Sequence, residues 1–69
     1  MKLSARNILQ GKVVQVKPGV VNSEVTLELS GGAKLVAIIT KESAENLGLA
    51  EGKTAYAVIK ASSVMIGVD

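Results

Sequence analysis

Residues 20–30 read VVNSEVTLELS, and apolar residues alternate with polar ones through most of this stretch. Four of its odd-numbered positions are apolar, namely Val21, Val25, Leu27 and Leu29. Ser23 is the exception, and every even-numbered position from 22 to 30 is polar. Because successive side chains point to opposite faces of an extended chain, this period of two predicts a β-strand with one face on the core and one face in water.

Four other segments favour strands as well. They cover residues 8–17, 33–40, 54–61 and 63–68. In the first of them, Gly11 predicts a bulge or a sharp bend. Pro18 and Gly19 stand where a type II turn needs them, so the first two strands are predicted to form a hairpin. The apolar run in residues 33–40 predicts a strand that is buried on both sides.

The periodicity changes after Thr40, where the sequence KESAENL is rich in helix formers. Thr40 is a candidate N-cap, and Gly48 is a typical residue for ending a helix. These signals predict a short helix of about two turns, with Ala44 and Leu47 on its inner side.

The predicted elements are three strands, one short helix and two more strands, in a single domain that covers residues 1–69. This order favours an all-β fold, a small five-stranded OB-like barrel with one short helix between strands 3 and 4.

A domain of this size depends on something besides its own core. A chain of about 60 residues buries only about 60% of the surface that it exposes when unfolded. The sequence contains no cysteine and no histidine, which excludes disulfides and the usual zinc sites. Because 48% of the residues are nevertheless hydrophobic, we expect part of the apolar surface to face another copy in a homo-oligomer.

The composition also argues against several functions. The eight basic residues are scattered singly, and Tyr56 is the only aromatic residue, so the chain lacks a stacking platform for nucleic acid. No hydroxyl has a histidine base and no two carboxylates are predicted to converge, so we expect no enzyme activity. No segment has the length of a signal peptide or a membrane helix. We therefore expect a cytoplasmic protein without nucleic-acid or membrane partners.

Hydrogen-bond donors gather in three short clusters: SARN at residues 4–7, IKASS at residues 59–63, and Thr40 with Ser43 at the start of the helix. Each cluster lies at the predicted end of a strand or helix, and the first two each supply one fixed positive charge. SARN alone would also fit a polar N-terminal arm with a solvated arginine. Together the clusters offer donors and no obvious acceptor, which suits a tetrahedral oxyanion that carries no proton.

With these motifs the chain resembles the molbindins, the Mop-domain family of molybdate-binding TOBE or OB-like domains. SARN, ITKESAENLGLAEG at residues 39–52 and AYAVIKASSVMI at residues 55–66 carry the resemblance, which runs from Leu3 to Val68. It implies an OB-like barrel and a hexamer built as a trimer of dimers. It also implies that the ligand is molybdate, or alternatively tungstate, bound between subunits without coordinate bonds and without an organic cofactor.

The resemblance further implies which residues bind the anion. Within one subunit they are Ser4, Arg6, Lys60, the backbone N–H near Ala61, and Ser62. Thr40 and Ser43 would come from a neighbouring subunit, whereas Asn7 is expected to fix the turn. A second oxyanion site near the threefold axis would be lined by Gly19, Val20, Val21 and Asn22.

The function expected from this resemblance is to store or buffer molybdate without performing chemistry on it. Two alternatives stay open. The chain would be a regulatory or sensor module if it acted with a molybdate transporter or regulator, and an OB-like structural adaptor if it bound no ligand.

Overall fold

The strand predicted within residues 20–30 lies in the interior of a four-stranded antiparallel sheet. The computed structural model describes all 69 residues, in the order β1 (Asn7–Pro18), β2 (Asn22–Leu29), β3 (Lys34–Thr40), α1 (Lys41–Asn46), β4 (Thr54–Ile59) and a 3₁₀ turn (Ala61–Ser63). The strands are arranged β3-β2-β1-β4, and every neighbouring pair is antiparallel. β3 and β4 are therefore the two edges of the sheet.

β1 is long enough to pair with two strands. Its first half, Asn7–Lys12, pairs with β4, and its second half, Gly11–Pro18, pairs with β2. The sheet curls because one strand serves both ladders. Where the ladders overlap, a Cβ atom on Gly11 would lie 2.9 Å from the carbonyl oxygen of Glu28, so the close approach of the two backbones explains why this residue has no side chain.

The β-bulge in β1 lies three residues beyond the predicted position. Val13 and Gln15 face consecutive residues of β2, which leaves Val14 as the extra residue. The predicted bulge is therefore wrong in position, because it lies at Val14 and not at Gly11. Thr26 pairs with Gln15 beside the bulge and is buried, although the alternation of β2 predicted that it would face water.

β1 and β2 form the predicted hairpin, but the turn is of a different kind. Gly19 is not among the glycines with positive φ, whereas a type II turn with glycine at its third position requires one. The backbone N–H of Gly19 instead donates to the carbonyl oxygen of Asn22 at 2.8 Å. A Cβ atom on Gly19 would lie 2.5 Å from that oxygen, so the tight contact requires glycine here.

The hydrophobic core is small. It consists of Val13, Val25, Leu27 and Ala57. Only seven of the 69 residues are buried. Ser23 shares a face of β2 with Val25 and Leu27 and is buried with them, which confirms the predicted period of two on this face. So small a core leaves much of the apolar content of the chain on its surface.

α1 begins and ends where the sequence predicts. Thr40 is its N-cap, because its hydroxyl oxygen accepts a hydrogen bond of 3.0 Å from the backbone N–H three residues later. Gly48 follows the helix with a φ of +63°. Ala44 is buried as predicted, but Leu47 is 60% exposed and Leu49 packs against the core instead. With six residues, α1 is the only α-helix and is far too short to cross a membrane.

The edge strand β3 is less buried than its sequence predicts. Its residues alternate between half-buried and exposed, and Val36 and Ile38 are 57% and 61% exposed. The prediction of burial on both sides is therefore wrong for the single chain, and β3 presents an apolar outer face.

The predicted fifth strand, residues 63–68, is absent from the sheet. Residues Ala61–Ser63 form the 3₁₀ turn, and residues Met65–Asp69 make no backbone hydrogen bond. The sheet therefore has four strands where the sequence predicted five, and the barrel is open between β3 and β4.

Lys53, just before β4, forms hydrogen bonds with the backbone at the C-terminal end of α1. Its Nζ atom donates to the carbonyl oxygens of Leu47 at 2.6 Å and Gly48 at 3.3 Å. Carbonyl groups at the end of a helix have no partner within the helix, and a cationic donor satisfies them favourably.

We expect the substitution Lys53→Met to lower the free energy of unfolding by about 1 kcal/mol, because the side chain keeps most of its length but loses both hydrogen bonds. Urea unfolding measures the difference. Lys12→Met is the matched control, since Lys12 is exposed in β1 and no hydrogen bond of its side chain is present. A loss of equal size in the control would show that the carbonyl contacts of Lys53 contribute nothing specific.

Candidate oxyanion-binding site

The pairing of β1 with β4 brings the two charged donor clusters to one place. Asn7 pairs with Ile59 in the antiparallel ladder, so Arg6, which precedes one strand, and Lys60, which follows the other, extend from the same end. If the ladder continued by one more pair, Arg6 would lie opposite Lys60. The side-chain Nδ2 of Asn7 donates to the carbonyl oxygen of Ile59 at 3.3 Å, which ties the two chain segments together.

No carboxylate neutralises these two cations. The one ion pair in the structure joins Lys17 to Glu24 at 3.7 Å, on the other half of β1. Arg6 and Lys60 are both exposed. Like charges that come close together repel each other, and an anion bound between these two side chains would offset such repulsion.

The 3₁₀ turn after Lys60 adds uncharged donors. The carbonyl oxygens of Lys60 and Ala61 accept hydrogen bonds from the backbone of Ser63 and Val64. The N–H groups of Ala61 and Ser62 have no backbone acceptor, so they and the Ser62 hydroxyl are available to a ligand. Ser4 lies in the N-terminal arm, two residues before Arg6, and is exposed.

Thr40 and Ser43 lie elsewhere in the same chain. Thr40 pairs with Asn22 at the start of β2, beside the Pro18 end of β1, whereas Arg6 precedes the opposite end of that strand. The Thr40 hydroxyl donates to the Ser43 hydroxyl oxygen at 2.7 Å, which leaves the Ser43 proton free to donate outward. The fold thus joins two of the three predicted clusters and leaves the third at the far end of the sheet.

The turn predicted as a second site is adjacent to this third cluster. The backbone N–H of Lys41 donates to the carbonyl oxygen of Val21 at 2.8 Å. Val20 and Val21 are strongly exposed, and their N–H groups have no acceptor in the protein. Sequence reasoning found no charged residue for this turn and missed Lys41, which adjoins it only because β2 pairs with β3.

The end of the β1–β4 ladder next to Arg6 therefore presents an exposed set of hydrogen-bond donors with a net positive charge. A guanidinium, an ammonium group, hydroxyls and free N–H groups donate, and none of the six carboxylates is paired with them. Acidic side chains nowhere gather in groups that could hold a metal ion. Such a set recognises an anion by hydrogen bonds.

Comparison with known proteins places this geometry in a family. The sequence model of the TOBE domain family matches residues 3–66. Molybdenum-pterin-binding protein 3 of Clostridium pasteurianum is 54% identical over 66 residues, which cover 96% of this chain and 97% of that protein.

Two solved structures share the fold along the whole chain. MopII from Clostridium pasteurianum superimposes with a TM-score of 0.92 at 51% identity and covers 97% of this chain and 100% of its own. The cytoplasmic molybdate-binding protein ModG, with molybdate bound, gives a TM-score of 0.96 at 52% identity over 100% of this chain and 49% of its own. The predicted resemblance is thus confirmed, and the chain belongs to the TOBE domain family, among its small molybdenum-pterin-binding (Mop) members.

Proposed function

We propose that this protein binds molybdate as a free anion and stores or buffers it in the cytoplasm, without performing chemistry on it. The observation that carries the proposal is the β1–β4 register, in which Asn7 pairs with Ile59, so that Arg6 and Lys60 extend from the same end of the ladder without an acidic partner for either. Two of the relatives described above, whose names refer to molybdenum and to molybdate, support this choice of anion.

The primary site of this proposal contains donors from two subunits. One subunit contributes Ser4, Arg6, Lys60, the N–H of Ala61, and Ser62. A neighbouring subunit contributes Thr40 and Ser43, because these two hydroxyls lie at the opposite end of the sheet from Arg6 within one chain. Since every contact of the first subunit is exposed in the single chain, the second subunit would also exclude water and strengthen each charge-assisted hydrogen bond.

A second and weaker site is proposed at the turn of Gly19, Val20, Val21 and Asn22. The free N–H groups of Val20 and Val21 and the neighbouring Lys41 support it. Tungstate would bind at either site as molybdate does, because both anions carry two charges and four acceptor oxygens.

The assembly that we propose is a hexamer, a trimer of dimers. The small core and the exposed apolar side chains support association. The exposed set includes Ile8, Leu9, Val20, Val21, Val36, Ile38, Tyr56, Val58, Met65, Ile66 and Val68. Isolated monomers rarely leave so much of their apolar content in water.

We expect the purified protein to have a mass in solution close to six times that of its 7.1 kDa chain, because association covers the apolar faces that the core leaves exposed. Light scattering at micromolar concentration measures this mass. A folded monomer under these conditions would contradict the assembly and, with it, the two-subunit site.

We expect Arg6→Ala and Lys60→Ala each to weaken molybdate binding by roughly 2 to 4 kcal/mol, because each leaves charge-assisted hydrogen bonds unmade in a site closed by a second subunit. Isothermal titration calorimetry measures the loss. Lys12→Ala removes an exposed charge from the middle of β1 and should have almost no effect. Equal losses in all three variants would indicate general attraction of anions rather than a site.

We expect molybdate and tungstate to bind alike at pH 7 to 8, sulfate to bind more weakly and phosphate to bind most weakly. Sulfate is smaller, so strand ends held by a ladder cannot keep every hydrogen bond short. The protonated form of phosphate brings a hydroxyl whose only possible acceptors are serine and threonine oxygens that the anion needs as donors, and this mismatch costs about 1 to 3 kcal/mol.

Competition titrations establish this order. Phosphate competing as well as molybdate would contradict the donor-only site. If none of the four anions binds, the result would favour the structural adaptor. Recovery of a transporter or a DNA-binding chain in a pull-down would favour the sensor module.

A further inference from the structure

A cleft of about 380 Å³ lies between α1 and the hairpin formed by β1 and β2. Val16 and Pro18 of β1 line one side of it, and one face of α1 with the residues that follow the helix lines the other. Of the residues named above for either oxyanion site, only Lys41 lines this cleft. Its volume suits a small molecule.

Ser23 is the most deeply buried polar residue of the cleft. It occupies a position on the core face of β2 where the alternation calls for an apolar residue, and it is 2% exposed. Its hydroxyl makes no hydrogen bond within the protein. Because no side-chain oxygen is both sealed from solvent and unpaired, the small exposed part of Ser23 includes this hydroxyl oxygen. A buried hydroxyl without a partner costs free energy, so its partner must enter through the cleft.

Two opposite charges, those of Lys41 and Glu45, border the same cleft from one face of α1. Residues four positions apart in a helix can pair, but these two form no ion pair with each other or with any other residue. Their order also opposes the helix dipole, since the basic residue lies in the first turn and the acidic residue in the last. Both charges are therefore available to a ligand.

We propose that this cleft binds a small zwitterion of the amino-acid class. Its carboxylate pairs with Lys41, its ammonium group pairs with Glu45, and a hydrogen-bonding group of its side chain reaches Ser23. A ligand of one charge alone, such as an oxyanion, would meet a like charge at the border of the cleft. Val16 and Leu49 provide apolar contacts for the aliphatic part of the ligand. The inference does not rest on molybdate binding.

Titrations followed by the backbone amide signals in NMR spectra test the proposal. The probes are L-threonine and L-glutamine, whose polar side-chain groups lie at different distances from the charged end. We expect at least one of them to shift the signals of Ser23, Lys41 and Glu45, with a dissociation constant in the millimolar range. The N-acetyl derivative and the α-carboxamide of that amino acid each lack one charge and should bind about threefold more weakly, because the two charged partners are exposed.

Variants of two residues outside both oxyanion sites separate the cleft from molybdate binding. Ser23→Ala should weaken binding of the amino acid roughly fivefold and leave the urea midpoint of the free protein unchanged or higher, because it removes an unpaired buried hydroxyl. Glu45→Gln should weaken binding about threefold. Glu42→Gln is its matched control, since Glu42 lies on α1 but does not line the cleft. Molybdate should bind equally well to all three variants.

Several outcomes would overturn the proposal. One is the absence of any shift with both amino acids at tens of millimolar, and another is equal binding of the derivatives that lack a charge. Shifts confined to Arg6 and Lys60 would show that the carboxylate binds at the primary oxyanion site instead. A lower urea midpoint for Ser23→Ala would show that the hydroxyl is already satisfied without a ligand, and equal losses in Glu45→Gln and Glu42→Gln would show general attraction of the ammonium group.

Discussion

The pairing of the first half of β1 with β4 is the contact on which the rest of the structure depends. β2 and β3 join the sheet through β1 and local turns, whereas β4 pairs with no strand other than β1, in the ladder from Asn7 to Lys12. The same ladder brings Ala57 into the core cluster that contains Val13, and it ends with Asn7 opposite Ile59, next to Arg6 and Lys60 in the sequence. The core and the candidate site thus depend on one set of backbone hydrogen bonds, to which Asn7 adds a hydrogen bond from its side chain.

Chain length is the second constraint. A core of four clustered apolar residues gives a small hydrophobic contribution, and neither a disulfide nor a structural metal supplements it. Many of the apolar residues that the core cannot accommodate lie on the edge strands and at the C-terminus, where a second chain could cover them. An exposed apolar surface of this kind makes a small single chain marginally stable and favours association with another chain.

The features that the sequence predicted correctly depend on neighbours in the chain. The alternation of β2 depends on adjacent residues, and the limits of α1 depend on Thr40 and Gly48, which cap it locally. The errors concern contacts between distant segments. Gly11 and Gly19 are glycines because another backbone group approaches them, and neither the bulge nor the turn type follows from the residue itself.

Burial on the edge strands could not be predicted for a related reason. The apolar pattern predicted a strand buried on both sides for residues 33–40 and a fifth strand for residues 63–68, but one chain does not cover the first or pair the second. For the candidate site, the donor clusters were visible in the sequence, but their grouping required the β1–β4 register. That register joins residues 52 positions apart, beyond the range of any local pattern.

This separation in sequence has a consequence for the order of events during folding. Hairpins β1–β2 and β2–β3 close short loops, whereas the Asn7–Ile59 contact closes nearly the whole chain and carries a larger entropic cost. We therefore expect the β1–β4 ladder to form late. On the ribosome, Arg6 emerges well before Lys60, so a nascent chain cannot bring the two residues together until β4 has been synthesised.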